Sequence, residues 1–191
     1  METSAMPQRI ITHPWEYRTE SFKIAGDLYY VGNSYVACYL ISTSQGLILL
    51  DTAFPQTVYL LLEAIRELGF SPRDIKYIVH THAHYDHCGG TKAIAELTEA
   101  QTFLGQEDLP CLNERTDLTW AEEYGVVFHE AFDVDFPLVD GDVIKLGETL
   151  LEAVHSPGHT DGTMSFFFSV VDRGERYRVG IHGGPGQMTL T

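Results

Sequence analysis

The chain of 191 residues carries 27 acidic against 12 basic residues, for a net charge of −15, with 44% apolar and 20% charged positions. That length fits one domain able to bury a real core. So acidic a surface repels phosphate backbones and anionic lipids, and no run of about 18 apolar residues could span a bilayer, so neither nucleic acid nor a membrane is an expected partner.

The opening METSAMPQRIITHPWEY has a proline, charges and no apolar signal core, so residues 1–20 read as an N-terminal extension and 21–191 as the domain, in a cytoplasmic protein. Cys38, Cys88 and Cys111 form an odd set without CxxC spacing, which suits a reducing compartment and three small buried side chains. SFKIAGDLYYVG, SYVACYLIST and GLILLDT alternate strand-like runs with turn residues and predict an antiparallel meander. In TVYLLLEAIRELG, Val58, Leu61, Leu62, Ile65 and Leu68 recur at helical spacing before a stop at Gly69.

DIKYIVH predicts a buried strand, and TKAIAELTEA a helix after a Gly-Gly pair. Between them, HTHAHYDH packs His80, His82, His84, Asp86 and His87 into one strand-to-helix junction. A short strand is expected around Thr102 to Leu104, then an acidic and aromatic stretch to Pro137, then strands DVIKL, LLEAVHS, TMSFFFSVV and RYRVGIH. Within the acidic stretch Trp120, Tyr124 and Phe128 read as core at helical spacing, with a pocket mouth as the alternative.

Residues of equal parity in an extended segment face one side, so His82 and His84 can converge on one ion as the strand ends. Asp86 and His87 follow the turn and would face a second position about 3.5–4 Å away. Neutral imidazole with carboxylate suits zinc before iron or manganese, one or two ions in all. His80 lies inside the strand and reads as a packed supporting residue rather than a ligand. In HSPGHTDGT, His159 sits in a loop with Gly158 and Gly162 and is the natural third ligand, while His155, at a strand end, reads as structural.

HAHYDH and PGHT together resemble the HxHxDH signature and third-ligand loop of the metallo-β-lactamase superfamily, the likeness running from about Phe22 to His182. GLILLDT resembles the family strand that ends in an aspartate, here Asp51, which supports the metal loop. The resemblance implies an α/β fold, an αββα sandwich of two mixed sheets with helices outside. It implies that His82, His84 and His159 hold the first metal, and that Asp86 and His87 contribute to the second. The wording of HAHYDH, and of GHTDGTMSFFF running on into RYRV, is most similar to the B3 β-lactamase branch.

Two departures bear on the second site. Glyoxalase II, lactonase and persulfide dioxygenase relatives carry a bridging aspartate where VGIHGGP places Gly183 or Gly184, and the cysteine that B1 lactamases put nearby is absent. The B3 branch takes its last histidine from further along, and this chain stops at Thr191, so the expectation is a C-terminally truncated copy of the fold with an incomplete second site. His182 is then the fallback ligand, and the Phe166 to Phe168 run an exposed apolar edge.

A bound divalent cation lowers the pKa of water to about 7 and polarises a carbonyl, so the expected function is metal-dependent hydrolysis of an amide, lactam, lactone or ester in a small-molecule substrate. Asp86 would be the catalytic residue, orienting the attacking water and relaying its proton. The alternatives are a metal-binding domain without turnover and an iron-dependent oxidoreductase. Flavodiiron relatives of the latter class carry Glu where this chain has His84. A homo-oligomer is left open.

Overall fold

The computed structural model describes residues 8–186. After α1 (Arg9–Thr12), four strands run as the predicted meander: β1 (Phe22–Ala25), β2 (Leu28–Tyr30), β3 (Tyr39–Thr43) and β4 (Gly46–Leu50). Each pairs antiparallel with the next. The helix α2 (Val58–Glu67) then carries the chain over one face and returns it as β5 (Ile75–Val79), parallel to β4. The one-turn helix α3 (Tyr85–Cys88), α4 (Thr91–Thr98), β6 (Gln101–Gly105) and β7 (Phe136–Leu138) complete a seven-stranded sheet in order β1 to β7, parallel from β4 onward. Parallel pairing requires such crossovers, and it explains why GLILL is apolar at successive positions: Leu47 and Leu49 pack toward the helices, Ile48 and Leu50 toward the second sheet.

The second sheet consists of β8 (Val143–Leu146), β9 (Thr149–His155), β10 (Met164–Asp172) and β11 (Glu175–Ile181), in the order β11-β10-β9-β8. The two sheets and the outer helix layer match the expected architecture. In detail the second sheet is antiparallel throughout rather than mixed, because its strands follow one another through short turns. Among the described residues no helix lies on its outer face, where Val143, Leu150 and Val171 are exposed. None of the described helices is long and apolar enough to cross a membrane.

The expectation of an exposed Phe166 to Phe168 edge is corrected. Phe166 and Phe168 are 0% and 4% exposed between the sheets, because alternation along β10 turns them inward. Phe167 alone faces out, beneath the Arg178 guanidinium. Ile48 is fully buried in the same inter-sheet core, so Ile48→Val is expected to lower stability by about 1 kcal/mol, read as a shift in the urea midpoint. A change within error would mean that the site collapses around the lost methyl.

Candidate metal centre

The candidate site forms where three parallel strands end. Asp51 follows β4, the histidine loop follows β5 and Asp108 follows β6, which is the edge where open parallel sheets bind ligands. The second sheet contributes His159 from the turn between β9 and β10. Backbone bonds lock these loops together: Thr52 N donates to His87 O at 2.8 Å and Gly90 N to Ala53 O at 3.0 Å, and Met164 N, from the second sheet, donates to Thr81 O at 2.8 Å.

From Val79 the chain continues extended, with His84 still at φ −70° and ψ 148°, before α3 coils it back. One ligand atom from each of His82, His84 and His159 lies within 4.8 Å of the others. Their ring centroids are 4.6 to 4.7 Å apart. The hydrogen bonds assign the tautomers of two of them. Thr81 Oγ1 donates to Asp51 Oδ2 at 2.7 Å, so at 2.9 Å it accepts from His82 Nδ1. His159 Nδ1 donates to the Pro185 carbonyl at 3.0 Å. Each therefore keeps its lone pair on Nε2, and His82 Nε2 is buried with no partner in hydrogen-bonding geometry, although the Gly183 backbone approaches the ring.

Burial first, then neighbouring imidazoles, pushes His82 well below the usual histidine range and His84 down to about 2. Burial also lowers His159, partly opposed by its bond to Pro185. All three thus stay neutral, as metal ligands must. An orphaned buried nitrogen among three converging imidazoles fits a soft-to-borderline divalent cation, and the donor set suits zinc. Replacing Thr81 by Val removes the oxygen that holds His82 Nδ1, and is expected to weaken zinc binding by about tenfold in chelator competition. Unchanged affinity would show that the hydroxyl does not orient the ligand.

Asp86 and His87 stand beside this trio rather than within it. The His87 ring lies 4.2 Å from that of His82, and its Nδ1 donates to Asp51 Oδ2 at 2.8 Å, which turns Nε2 toward Asp86 Oδ2 at 3.7 Å. Burial disfavours the charged His87, but the Asp86 and Asp51 carboxylates outweigh it and raise its pKa to about 9. Asp51 thus supports both halves of the site, with Thr81 N at 2.8 Å on its other oxygen.

His80 is packed, as read: Nδ1 lies 2.8 Å from the Phe103 carbonyl and Nε2 2.6 Å from Thr91 Oγ1. His155 is structural, with Nε2 donating to Asp161 O at 2.7 Å. His182 lines the pocket but is outside the converging trio, and its Nδ1 accepts from Gly184 N at 3.0 Å. A Cβ on Gly184 would sit 2.5 Å from the His159 ring, and one on Gly183 2.2 Å from Met164 O, so a side chain at either place would need a neighbour to move.

Asp108 escaped the sequence reading. It is buried, and its carboxylate accepts from Ala83 N at 2.9 Å, Thr160 Oγ1 at 2.7 Å and Gly162 N at 2.7 Å, clamping both ligand loops. A Cβ on Gly162 would lie 2.5 Å from Asp108 N, so glycine there permits the approach. As one of 27 acidic residues, Asp108 had no local pattern to mark it.

The site opens into a pocket of about 680 Å³ lined by Ile24, Leu28, Tyr39, Trp120, Val179 and Ile181 among others. Trp120 and Tyr124 line this pocket, and Trp120 stacks on His84 at 5.5 Å, whereas Phe128 is core, packed on Tyr85. Helical spacing did not apply, because the stretch folds as short 3₁₀ turns with Trp120 in the left-handed region at φ 63°.

Residues 31–172 match the family model of the metallo-beta-lactamase superfamily. A Bacillus N-acyl homoserine lactonase is 25% identical over 165 residues, covering 73% of this chain and 60% of the relative. The structure of BJP-1, a subclass B3 metallo-beta-lactamase of Bradyrhizobium japonicum, superposes with a TM-score of 0.80 at 37% identity, over 91% of this chain and 65% of that one. LRA-12, a class B3 di-zinc metallo-beta-lactamase from an Alaskan soil metagenome, gives a TM-score of 0.81 at 36% identity, over 88% and 64%. The chain therefore spans under two thirds of the length of these relatives.

Proposed function

Because the chain belongs to the metallo-beta-lactamase superfamily, we propose that it is a zinc-dependent hydrolase of an amide, lactam, lactone or ester. The observation that carries this reading is the convergence of His82, His84 and His159, neutral and with a buried orphan nitrogen, at the base of a pocket. His82, His84 and His159 would hold the first ion, and Asp86 with His87 would contribute to a second. When bound, such an ion lowers the pKa of water to about 7 and acts as a Lewis acid on the scissile carbonyl.

The chain's own groups would do the rest. Asp86, at the pocket floor beside His87 Nε2, orients the attacking water, takes its proton and returns it to the leaving group. Asp51 and Thr81 hold the Nδ1 sides of His87 and His82, so that each Nε2 is turned toward the site. The apolar wall of Ile24, Leu28, Tyr39, Val179 and Ile181 receives the acyl side of a small substrate and excludes water from it. Support for a lactone or ester comes from the lactonase relative, and for a lactam from the B3 structures.

The test combines elemental analysis of the purified chain with assays on a chromogenic β-lactam, an N-acyl lactone and a nitrophenyl ester. Zinc together with turnover of at least one substrate, lost on chelation and restored by zinc, is the expected result. Zinc without turnover would leave a metal-binding domain, and iron with oxygen consumption an oxidoreductase; either result would refute the hydrolase.

A further inference from the structure

The three converging histidines come from two sheets, so the space between them depends on how the loops of those sheets are joined. His82 and His84 follow β5 of the first sheet, whereas His159 stands in the turn between β9 and β10 of the second. Where the end of β6 meets that turn the backbones touch: a Cβ on Gly105 would lie 1.9 Å from Gly162 O, and one on Gly162 2.5 Å from Asp108 N. A side chain at either position would push the two apart. Asp108 is buried on this seam, and its oxygens divide between the loops. Oδ2 accepts from Ala83 N, the peptide between His82 and His84, at 2.9 Å and from Thr160 Oγ1 at 2.7 Å, while Oδ1 accepts from Gly162 N at 2.7 Å. Three donors converge, and an ionised carboxylate is the group that accepts on every side.

We propose that Asp108 is the positioning residue that sets His159 against His84, so that the trio is spaced for one ion. The turn that carries His159 is braced internally, with Thr160 N donating to Thr163 Oγ1 at 2.8 Å and Gly158 N to Thr160 O at 3.1 Å, so holding Thr160 and Gly162 holds His159 as well. On the other loop the grip falls between two ligands. Asp108 bonds to the chain flanking the ligands and leaves the tilt of the rings to Thr81 at His82 and to the Pro185 carbonyl at His159. One carboxylate thus fixes the separation. The inference rests on the reading of His82, His84 and His159 as ligands of one ion, and its test needs no substrate.

Zinc is titrated against a chromophoric chelator into the full chain, Asp108→Asn, Thr160→Val and Thr160→Ser, with urea midpoints recorded on the metal-free proteins. Cobalt, loaded to saturation in place of zinc, reports the geometry through its visible absorption, which weakens as a ligand drifts off and water enters. In Asp108→Asn the amide N–H must face one of the three donors. That variant is expected to bind zinc about tenfold more weakly and to show a weaker cobalt band. Thr160→Val removes one bond to the His159 loop and is expected to cost about threefold, with Thr160→Ser near the wild type.

Wild-type affinity in Asp108→Asn would overturn the proposal, and so would weaker zinc binding with an unchanged cobalt band, which would make Asp108 merely structural. Should Asp108→Asn fail to fold, the Thr160 pair decides. Equal affinity and equal bands in Thr160→Val and Thr160→Ser would overturn the proposal, and a loss of both in Thr160→Val alone would uphold it. A chain that takes up no metal would sink the positioning role together with the ligand assignment. Metal bound in the expected pattern without hydrolysis would refute the hydrolase reading and uphold the positioning role.

Discussion

Alanine in place of His84 is expected to weaken the tighter zinc equivalent by at least about a hundredfold. Structural four-ligand zinc sites contribute about 10–16 kcal/mol in all, so one ligand is worth roughly 3 kcal/mol. The centre has three imidazoles at its base, and among the described residues no fourth histidine falls within the same 4.8 Å grouping to substitute. His84 is also stacked on Trp120, so alanine opens space beside that ring. Equilibrium dialysis followed by elemental analysis reads the effect directly. Wild-type stoichiometry at micromolar zinc in this variant would sink the ligand assignment.

The second large effect concerns Asp86→Asn, which is expected to cut turnover by at least about a hundredfold while moving the urea midpoint little. An amide is isosteric with the carboxylate, so it keeps the van der Waals contacts and one accepting oxygen. It cannot take a proton from water, and general-base transfer contributes about 10²–10⁴ in rate. The measurement is kcat on whichever of the three assay substrates the wild type turns over, with the variant loaded at saturating zinc. Near-normal kcat would remove Asp86 from proton transfer and leave it as a ligand alone.

The two halves of the site differ in how much of them the linear chain displays. The HTHAHYDH segment declares itself because its ligands are adjacent in sequence: an extended strand end and one helical turn suffice to bring His82 and His84 together. His159 was readable because PGHT packs a histidine beside a glycine, even though 75 residues separate it from His84. Asp51 was legible as a strand-end aspartate, but its grip on Thr81 and His87 depends on β4 and β5 lying parallel and in register. Asp108 was not assigned its role, since it acts through partners distant in the chain.

Local pattern by itself determined the meander, the helix α2, the buried strand β5 and the identity of the three converging histidines. These depend on side-chain periodicity of two or 3.6 residues and on ligand types at short spacing, which are properties of neighbouring residues. Only the tertiary structure decided that Phe166 and Phe168 face inward against the first sheet, and that Trp120 and Tyr124 line the pocket while Phe128 is core. It alone set Asp108 across the two ligand loops. The reason is physical: which face of a strand or turn is buried, and which oxygen meets which N–H, is fixed when separate segments pack. The free energy of that packing is not written in any one of them.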